Sequence, residues 1–171
     1  MVLEMGCGAG FFSEMIADKV KYLTATDLAP EMVAKAKEKL SEFGNVEVQK
    51  EDCYNTSFAD NTFDAILMTN LLHIVKEPVT VLEESRRVLK DDGRVVIADL
   101  TGYGMRFLKK IALGMRYLRR FGKPAPCSRN FSPGELAEIV KEAGFMVEES
   151  ILIGRNTNAV CLRGQKVKNE R

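Results

Sequence analysis

Several features that would assign a protein to a special class are absent from this sequence of 171 residues. Its four cysteines are scattered, without a CxxC pair or a Cys/His cluster, so we expect neither a metal site nor a disulfide framework. The 25 basic side chains are balanced by 24 acidic ones, so the net charge predicts no polyanionic partner. The sequence therefore does not favour nucleic acid as a partner.

Long apolar segments are missing as well. No apolar run reaches the roughly 20 residues that cross a bilayer, and the N-terminal segment MVLEMGCG has neither a basic stretch nor a signal-like apolar stretch. We therefore expect a cytoplasmic protein. The composition, 46% hydrophobic and 29% charged, is typical of a soluble globular protein, and the length fits one domain over residues 1–171.

Strand-like and helix-like patterns alternate along the first hundred residues, which is typical of βαβ units and a parallel sheet. The strands are predicted over residues 1–5, 22–27, 46–49, 63–69 and 94–100. The helices between them are predicted over residues 11–20, from 30 until Gly44, and 79–89, with a turn at 91–93. The C-terminal part predicts a helix capped by Ser132 and Glu135 and then a hairpin of 147–153 with 159–163.

A glycine-rich segment follows the first strand. Gly6, Gly8 and Gly10 stand at alternate positions, where glycine lets the backbone turn sharply and approach a ligand that a Cβ would exclude. A dinucleotide fingerprint would need its third glycine one position later, at Phe11, so the spacing argues against NAD. Glu4, just before the glycines, would repel a pyrophosphate but suits a ligand that carries an ammonium or sulfonium group.

Two further carboxylates follow later strands. Asp27 ends the second strand about 20 residues after the glycines, where an acid binds the ribose hydroxyls in doubly wound sheets. It is also placed to cap the helix that begins at Pro30, and the two roles are compatible. Asp52 follows the third strand, where it could accept a hydrogen bond from an adenine amine, although taken alone it is typical of a solvated loop acid.

Together these motifs resemble the class I S-adenosylmethionine (SAM)-dependent methyltransferases, most of all the small-molecule branch called methyltransferase type 11 or ubiquinone/menaquinone-biosynthesis-like. The resemblance rests on residues 4–10, Asp27, Asp52, 63–64, 70–73 and 88–94. It implies an α/β fold with an open, doubly wound, mostly parallel sheet of seven strands in the order 3-2-1-4-5-7-6. It also implies SAM as the cofactor, S-adenosylhomocysteine as the product and a small molecule as the methyl acceptor.

The resemblance further implies which residues bind the cofactor. They are Glu4, Gly6, Cys7, Gly8, Gly10, Asp27, Leu28, Asp52, Cys53, Asn70 and Leu71. His73, the only histidine, is a candidate catalytic base, although we slightly favour a packed or capping role for it. Two other functions stay open: a non-catalytic SAM-binding or interaction module, and an NAD(P)-dependent oxidoreductase, which Phe11 and Glu4 disfavour.

The alternation is interrupted at residues 101–130, which we interpret as an insertion after the fifth strand with a basic helix over about 106–121. The insertion contains no acid, and its basic residues are Arg106, Lys109, Lys110, Arg116, Arg119, Arg120, Lys123 and Arg129. A helical wheel places Phe107, Ile111, Met115 and Leu118 on one face and basic side chains opposite. We favour a lid over the acceptor pocket; a surface that recruits an anionic acceptor or contacts a membrane is the alternative.

The start of the chain differs from the family pattern. Family members usually carry helices before the first strand, whereas this sequence begins at the strand itself. Without that cover an apolar face of the sheet is expected to be exposed, which favours self-association and leaves a homodimer open. Whether the chain is active without those helices is a separate question for experiment.

Overall fold

The computed structural model describes residues 1–121, 128–155 and 157–167. Within these residues the chain forms seven strands and five helices that alternate as the sequence predicts. The elements are β1 (Val2–Met5), α1 (Phe11–Ala17), β2 (Leu23–Asp27), α2 (Pro30–Lys39), β3 (Val46–Lys50), β4 (Phe63–Thr69), α3 (Pro78–Val88), β5 (Leu89–Thr101), α4 (Phe107–Phe121), α5 (Pro133–Glu142), β6 (Phe145–Ile153) and β7 (Asn158–Lys166).

The strands form one sheet in the order β3-β2-β1-β4-β5-β7-β6, which confirms the predicted fold. The pairs from β3 to β5 are parallel, and β7 is antiparallel to both β5 and β6. Because parallel strands end at the same edge, the loops after β1, β2 and β4 meet there. Ligands bind at this carboxyl edge in open α/β sheets.

Two apolar cores fix the strands in place. The larger one packs β1, β4 and β5 against α3 and α5, and its fully buried side chains include Leu3, Ile66, Ile97, Leu82 and Leu136. The smaller one packs α2 against the other part of the sheet. Strands buried on both faces explain the continuous apolar runs of the sequence and give the carboxyl edge a rigid base.

The fifth strand begins earlier than the sequence predicted. The strand runs from Leu89, and its pairing with β4 moves from Phe63 opposite Leu89 to Ala65 opposite Arg94. The predicted turn is therefore a bulge inside the strand, with Asp92 in the left-handed conformation at φ 66°. Aspartate tolerates that conformation better than most residues, which explains why the sequence had the local signature of a turn.

Helix α1 buries its small residues. Ser13 and Ala17 face the sheet, whereas Phe11 and Met15 are exposed. The bulky apolar residues therefore do not mark the packed face, which instead holds the short Ser13 side chain in contact with Glu4.

The helix after the insertion starts with the predicted cap. The Ser132 hydroxyl accepts a hydrogen bond from the Glu135 N–H at 3.2 Å, and the Glu135 carboxylate accepts one from the Ser132 N–H at 2.8 Å. This reciprocal capping box fixes the direction in which the chain leaves the insertion.

The insertion forms helix α4, as predicted, and its two ends are joined to each other next to the end of β5. The Thr101 hydroxyl donates to the Phe131 carbonyl at 2.8 Å, and the Gly102 N–H donates to Asn130 Oδ1 at 2.8 Å. Lys123 and the side chains of Arg116 and Arg120 lie outside the described residues. Within the part of the chain that the structure describes, no helix is long and apolar enough to cross a membrane.

Candidate functional site

The glycine loop turns away from β1 through three left-handed residues. Gly6, Gly8 and Gly10 have φ values of 73°, 54° and 79°, which side-chain-bearing residues adopt only with strain. A Cβ on Gly6 would lie 2.9 Å from Leu71 Cδ1, whereas a Cβ on Gly8 would meet no atom within 4 Å. The Gly8 backbone therefore borders open space at the carboxyl edge, where a ligand could approach it closely.

Asp27 links this loop to the start of α2. Its carboxylate accepts the Gly8 N–H at 2.8 Å on Oδ2 and the Ala29 N–H at 2.9 Å on Oδ1. The sequence analysis assigned Asp27 two compatible roles, but the N-cap of α2 is Ala29, without a side-chain cap, so the capping prediction is wrong. The bond to Gly8 places Asp27 directly beside the glycine loop. Each carboxylate oxygen keeps a further lone pair, so Asp27 could still accept hydrogen bonds from ligand hydroxyls.

Glu4 lies fully buried beneath the loop. Its carboxylate accepts the Ser13 hydroxyl at 2.5 Å and the Thr69 hydroxyl at 3.4 Å. Burial raises the pKa of Glu4, and the hydrogen bonds from Ser13 and Thr69 oppose that rise. Sequence reasoning missed both partners, although a serine among apolar residues of α1 and a threonine at the end of an apolar strand were the available signals.

Two cysteines lie close to the acids of the site. Burial raises the pKa of Cys7 to about 12, with further contributions from the charges of Glu4 and Asp27. Burial likewise raises the pKa of Cys53 to about 11, with the charges of Asp52 and then Asp27 adding to the effect. Both thiols therefore stay protonated at neutral pH and are not nucleophiles. The Glu51 N–H donates to the Asp27 carbonyl at 3.2 Å and the Gly8 N–H to its carboxylate at 2.8 Å, so the loops after β1 and β3 both contact Asp27.

The remaining predicted cofactor residues surround the same edge. The Asn70 Oδ1 accepts the Leu100 N–H at 3.0 Å, which joins the ends of β4 and β5. Leu71 is buried against Gly6, and Leu28 is exposed at the rim beside Asp27. Asp52 is exposed in its loop, where its carboxylate accepts the Tyr54 N–H at 3.0 Å.

His73 has a partner that the sequence analysis did not identify. Its backbone N–H donates to Asp99 Oδ2 at 3.1 Å, and its Nδ1 lies 3.3 Å from Asp99 Oδ1. Asp99 is fully buried on β5, on the same face as Val95 and Ile97. The available signal was strand alternation, because an acid at an inward-facing position of an apolar strand needs a polar partner.

The chemistry of these groups suits an adenosyl sulfonium ligand. Open space lies beside Gly8, carboxylates flank it, and the described residues contain no group of His, Cys, Asp and Glu side chains that could hold a metal ion. Negative charge attracts a cationic ligand and repels a pyrophosphate. The residues present therefore fit SAM better than a dinucleotide.

A cavity of about 340 Å³ lies away from this site, at the edge of the sheet opposite the carboxyl edge. It is lined by charged side chains that already pair with one another: Arg87 with Asp60 at 2.6 Å, and Lys166 with Asp91 at 3.6 Å. We therefore assign it no ligand.

Comparison with known proteins identifies relatives of this chain. The chain is 36% identical over 101 residues to a phosphatidylethanolamine N-methyltransferase of Cereibacter sphaeroides, covering 57% of this chain and 49% of that protein. It is 30% identical over 153 residues to a ubiquinone biosynthesis O-methyltransferase of Xanthomonas axonopodis, covering 86% of this chain and 63% of that protein. The chain thus spans roughly half to two thirds of the length of these curated relatives.

A solved structure and a family model complete the comparison. A SAM-dependent methyltransferase from Aquifex aeolicus superimposes with a TM-score of 0.77 at 29% identity, covering 97% of this chain and 81% of that one. Residues 3–97 match the model of a methyltransferase domain, a match that includes β1 to β4 and the greater part of β5. The family and the fold imply SAM as the cofactor. The chain belongs to this methyltransferase domain family.

Proposed function

We propose that this chain binds SAM at the carboxyl edge of its sheet and transfers the methyl group to a small-molecule acceptor. The observation that carries the proposal is the pairing of the open, left-handed Gly8 with the Asp27 carboxylate, 2.8 Å from its N–H. This arrangement offers a backbone surface without a Cβ and an acceptor for ribose hydroxyls side by side.

Different predicted residues would contact different parts of the cofactor. The Gly6–Gly10 backbone, with Cys7 and the buried charge of Glu4, would hold the methionine part. Asp27 and Leu28 would hold the ribose, Asp52 and Cys53 the adenine, and Asn70 and Leu71 would lie under the ligand. When bound, the cofactor supplies an electrophilic methyl group and a neutral leaving group, so the protein mainly orients the acceptor and excludes water.

Calorimetry with SAM, S-adenosylhomocysteine and NAD tests the binding step. We expect binding of the first two ligands and none of NAD. Tight NAD binding without SAM binding would instead support an oxidoreductase. SAM binding without methyl release on any acceptor class would support the non-catalytic binding module.

The exposed apolar face of α4 supports a membrane-facing role for the insertion. Phe107, Ile111, Met115 and Leu118 are 74%, 44%, 55% and 51% exposed, so this face is not packed as a closed lid would be. Basic side chains share the helix, and no acid lies between Thr101 and Gly134. This pattern suits an acidic lipid surface or an anionic acceptor, and the two curated relatives are named for phosphatidylethanolamine and ubiquinone biosynthesis.

Sedimentation with vesicles tests this role. We expect the protein to bind phosphatidylglycerol vesicles at low salt but not phosphatidylcholine vesicles, and the double variant Phe107→Ser and Ile111→Ser to lose binding. Met146→Ser, which changes an exposed apolar residue on β6, is the matched control and keeps binding. If the double variant and the control bind the vesicles equally well, the membrane role is rejected. Recruitment of an anionic acceptor is then the remaining role for the basic helix.

Self-association and location are separate proposals. The exposed Phe11 and Met15 of α1 are available to a second copy, so light scattering should report a dimer that Phe11→Ser weakens. If the protein is a monomer at all concentrations, the proposed dimer is rejected. We also propose a cytoplasmic location, which cell fractionation tests.

A further inference from the structure

The turn that carries Asp52 is fixed by backbone hydrogen bonds. It begins one residue after the contact of the Glu51 N–H with the Asp27 carbonyl. The Asn55 N–H donates to the Asp52 carbonyl at 3.1 Å, and the Tyr54 N–H donates to Asp52 Oδ1 at 3.0 Å. The direction of the Asp52 carboxylate therefore depends on where the backbone of Tyr54 lies.

The side chain of Tyr54 reaches the segment between β4 and α3. Its hydroxyl oxygen accepts the Lys76 N–H at 2.9 Å and the Glu77 N–H at 3.2 Å, and its partly buried ring packs against the larger core. Glu77 is the N-cap of α3, and its own side chain makes no capping hydrogen bond. One hydroxyl group thus joins the loop after β3 to the start of α3.

The segment that Tyr54 contacts is itself held in place. Val75 is buried in the core, and Pro78 in the first turn of α3 restricts the backbone. From the other side, Nη2 of Arg129 donates to the Lys76 carbonyl at 2.8 Å. Lys76 is therefore bonded to Tyr54 through its N–H and to the end of the insertion through its carbonyl, so the Tyr54 hydroxyl binds to a fixed segment.

We propose that Tyr54 is a positioning residue that directs the Asp52 carboxylate towards the exocyclic amine of the cofactor's adenine and so selects adenine over other bases. This inference rests on the proposed function, in which Asp52 contacts the adenine. The Tyr54 N–H occupies Oδ1, whereas Oδ2 accepts no hydrogen bond within the part of the chain that the structure describes. Oδ2 can therefore accept one from an amine, and its charge would repel the oxygen that hypoxanthine carries at the same position.

Base selection is measured by calorimetry with S-adenosylhomocysteine and S-inosylhomocysteine, which differ at the exocyclic position of the base. Wild-type protein should prefer the adenine ligand by roughly 10 to 100-fold. Tyr54→Phe keeps the ring but loses the hydroxyl group, and the preference should fall roughly 2 to 10-fold. The matched control Tyr22→Phe removes an exposed hydroxyl group that donates to Glu47 at 3.2 Å, and it should keep the preference.

The Tyr54→Phe variant should remain folded. The two N–H groups that lose their acceptor belong to exposed residues, so water can replace the hydroxyl group, and the same loop is also held by the Thr56 N–H, which donates to Glu84 at 2.8 Å. A merely structural role would lower the affinities for both ligands by the same factor. An unchanged preference in Tyr54→Phe therefore overturns the proposal, whether or not the two affinities fall together.

A second variant tests whether Tyr54 acts through Asp52. Asp52→Asn removes the charge that distinguishes the two bases, so adding Tyr54→Phe to it should not lower the preference further. If the double variant has a clearly lower preference than Asp52→Asn alone, Tyr54 acts by another route and the proposal is overturned.

Hydrogen exchange of the ligand-free protein gives a test that needs no cofactor. Tyr54→Phe should speed exchange of the Lys76 and Glu77 amides and also of the amide at position 54, because the turn is no longer held. Unchanged exchange at position 54 overturns the proposal. If wild-type protein does not bind S-adenosylhomocysteine, the proposed function is rejected, while exchange still shows whether Tyr54 holds the turn. Equal wild-type affinity for the two ligands overturns base selection but leaves SAM binding in place.

Discussion

Substituting Gly8 by alanine separates ligand binding from stability. At φ 54° a Cβ costs about 1 to 2 kcal/mol of backbone strain, but nothing lies within 4 Å for it to strike. For a chain of this length the melting temperature should fall by roughly 2 to 4 °C for each kcal/mol. The new methyl group would fill the space that we assign to the cofactor, so the SAM affinity should fall at least about tenfold, or ~1.4 kcal/mol.

Two other glycines provide the comparison. Gly44→Ala has no left-handed strain and no neighbour within 4 Å, so stability and SAM affinity should be unchanged or stability slightly higher. Gly6→Ala adds a contact of 2.9 Å with Leu71 and should lower stability more than Gly8→Ala. Thermal unfolding measures the stability of all three variants, and calorimetry measures their SAM affinity. If Gly8→Ala binds SAM with wild-type affinity, the assignment of the glycine loop as part of the cofactor site is refuted.

Three further expectations follow from other contacts. Asp27→Ala should lower SAM affinity by roughly 10 to 100-fold, because charge-assisted hydrogen bonds contribute about 1.5 to 3 kcal/mol; unchanged binding in calorimetry would contradict the ribose role. Because the folded-state pKa of Glu4 is raised, its stabilising effect exists at low pH and is lost as pH rises, so Glu4→Gln should unfold at a higher temperature than wild type at neutral pH but not in acid. Ser132→Ala should cost about 1 kcal/mol by loss of the capping box, while Ser128→Ala, at an exposed position outside any helix, should change the melting temperature far less.

The alternation of strands and helices was predictable because it depends on local periodicity, whereas the order of the strands in the sheet was implied by the resemblance to the methyltransferase family. The apolar run of β4 and the capped start at Ser132 were identified from a few adjacent residues, and both are confirmed. The bulge in β5 was missed, since a local turn signature does not reveal that pairing with β4 resumes on both sides of it. The packed face of α1 was not evident for a similar reason, because only the sheet determines how close the helix lies.

The site was predictable only where a motif fixes its position. The glycines and Asp27 could be placed from spacing within βαβ units, and the structure brings them into direct contact. Asp99 could not be paired with His73 in this way, because the two residues are on different segments, 26 positions apart, and meet only through the order of strands. Contacts across the sheet edge therefore need the fold before they can be interpreted.

Left-handed backbone conformations recur at the edge where ligand binding is proposed. Gly6, Gly8, Gly10 and Asn70 all have positive φ, and all follow the carboxyl ends of β1 or β4, the two adjacent central strands. Here Leu3, Met5, Ile66 and Met68 of the strands beneath are fully buried, while Asp27 and Leu100 hold the loops by hydrogen bonds. A loop that is rigid before the ligand arrives loses little conformational entropy on binding. The buried strands and the two hydrogen bonds thus hold the loops in place, which is why these loops can keep backbone groups exposed towards a ligand.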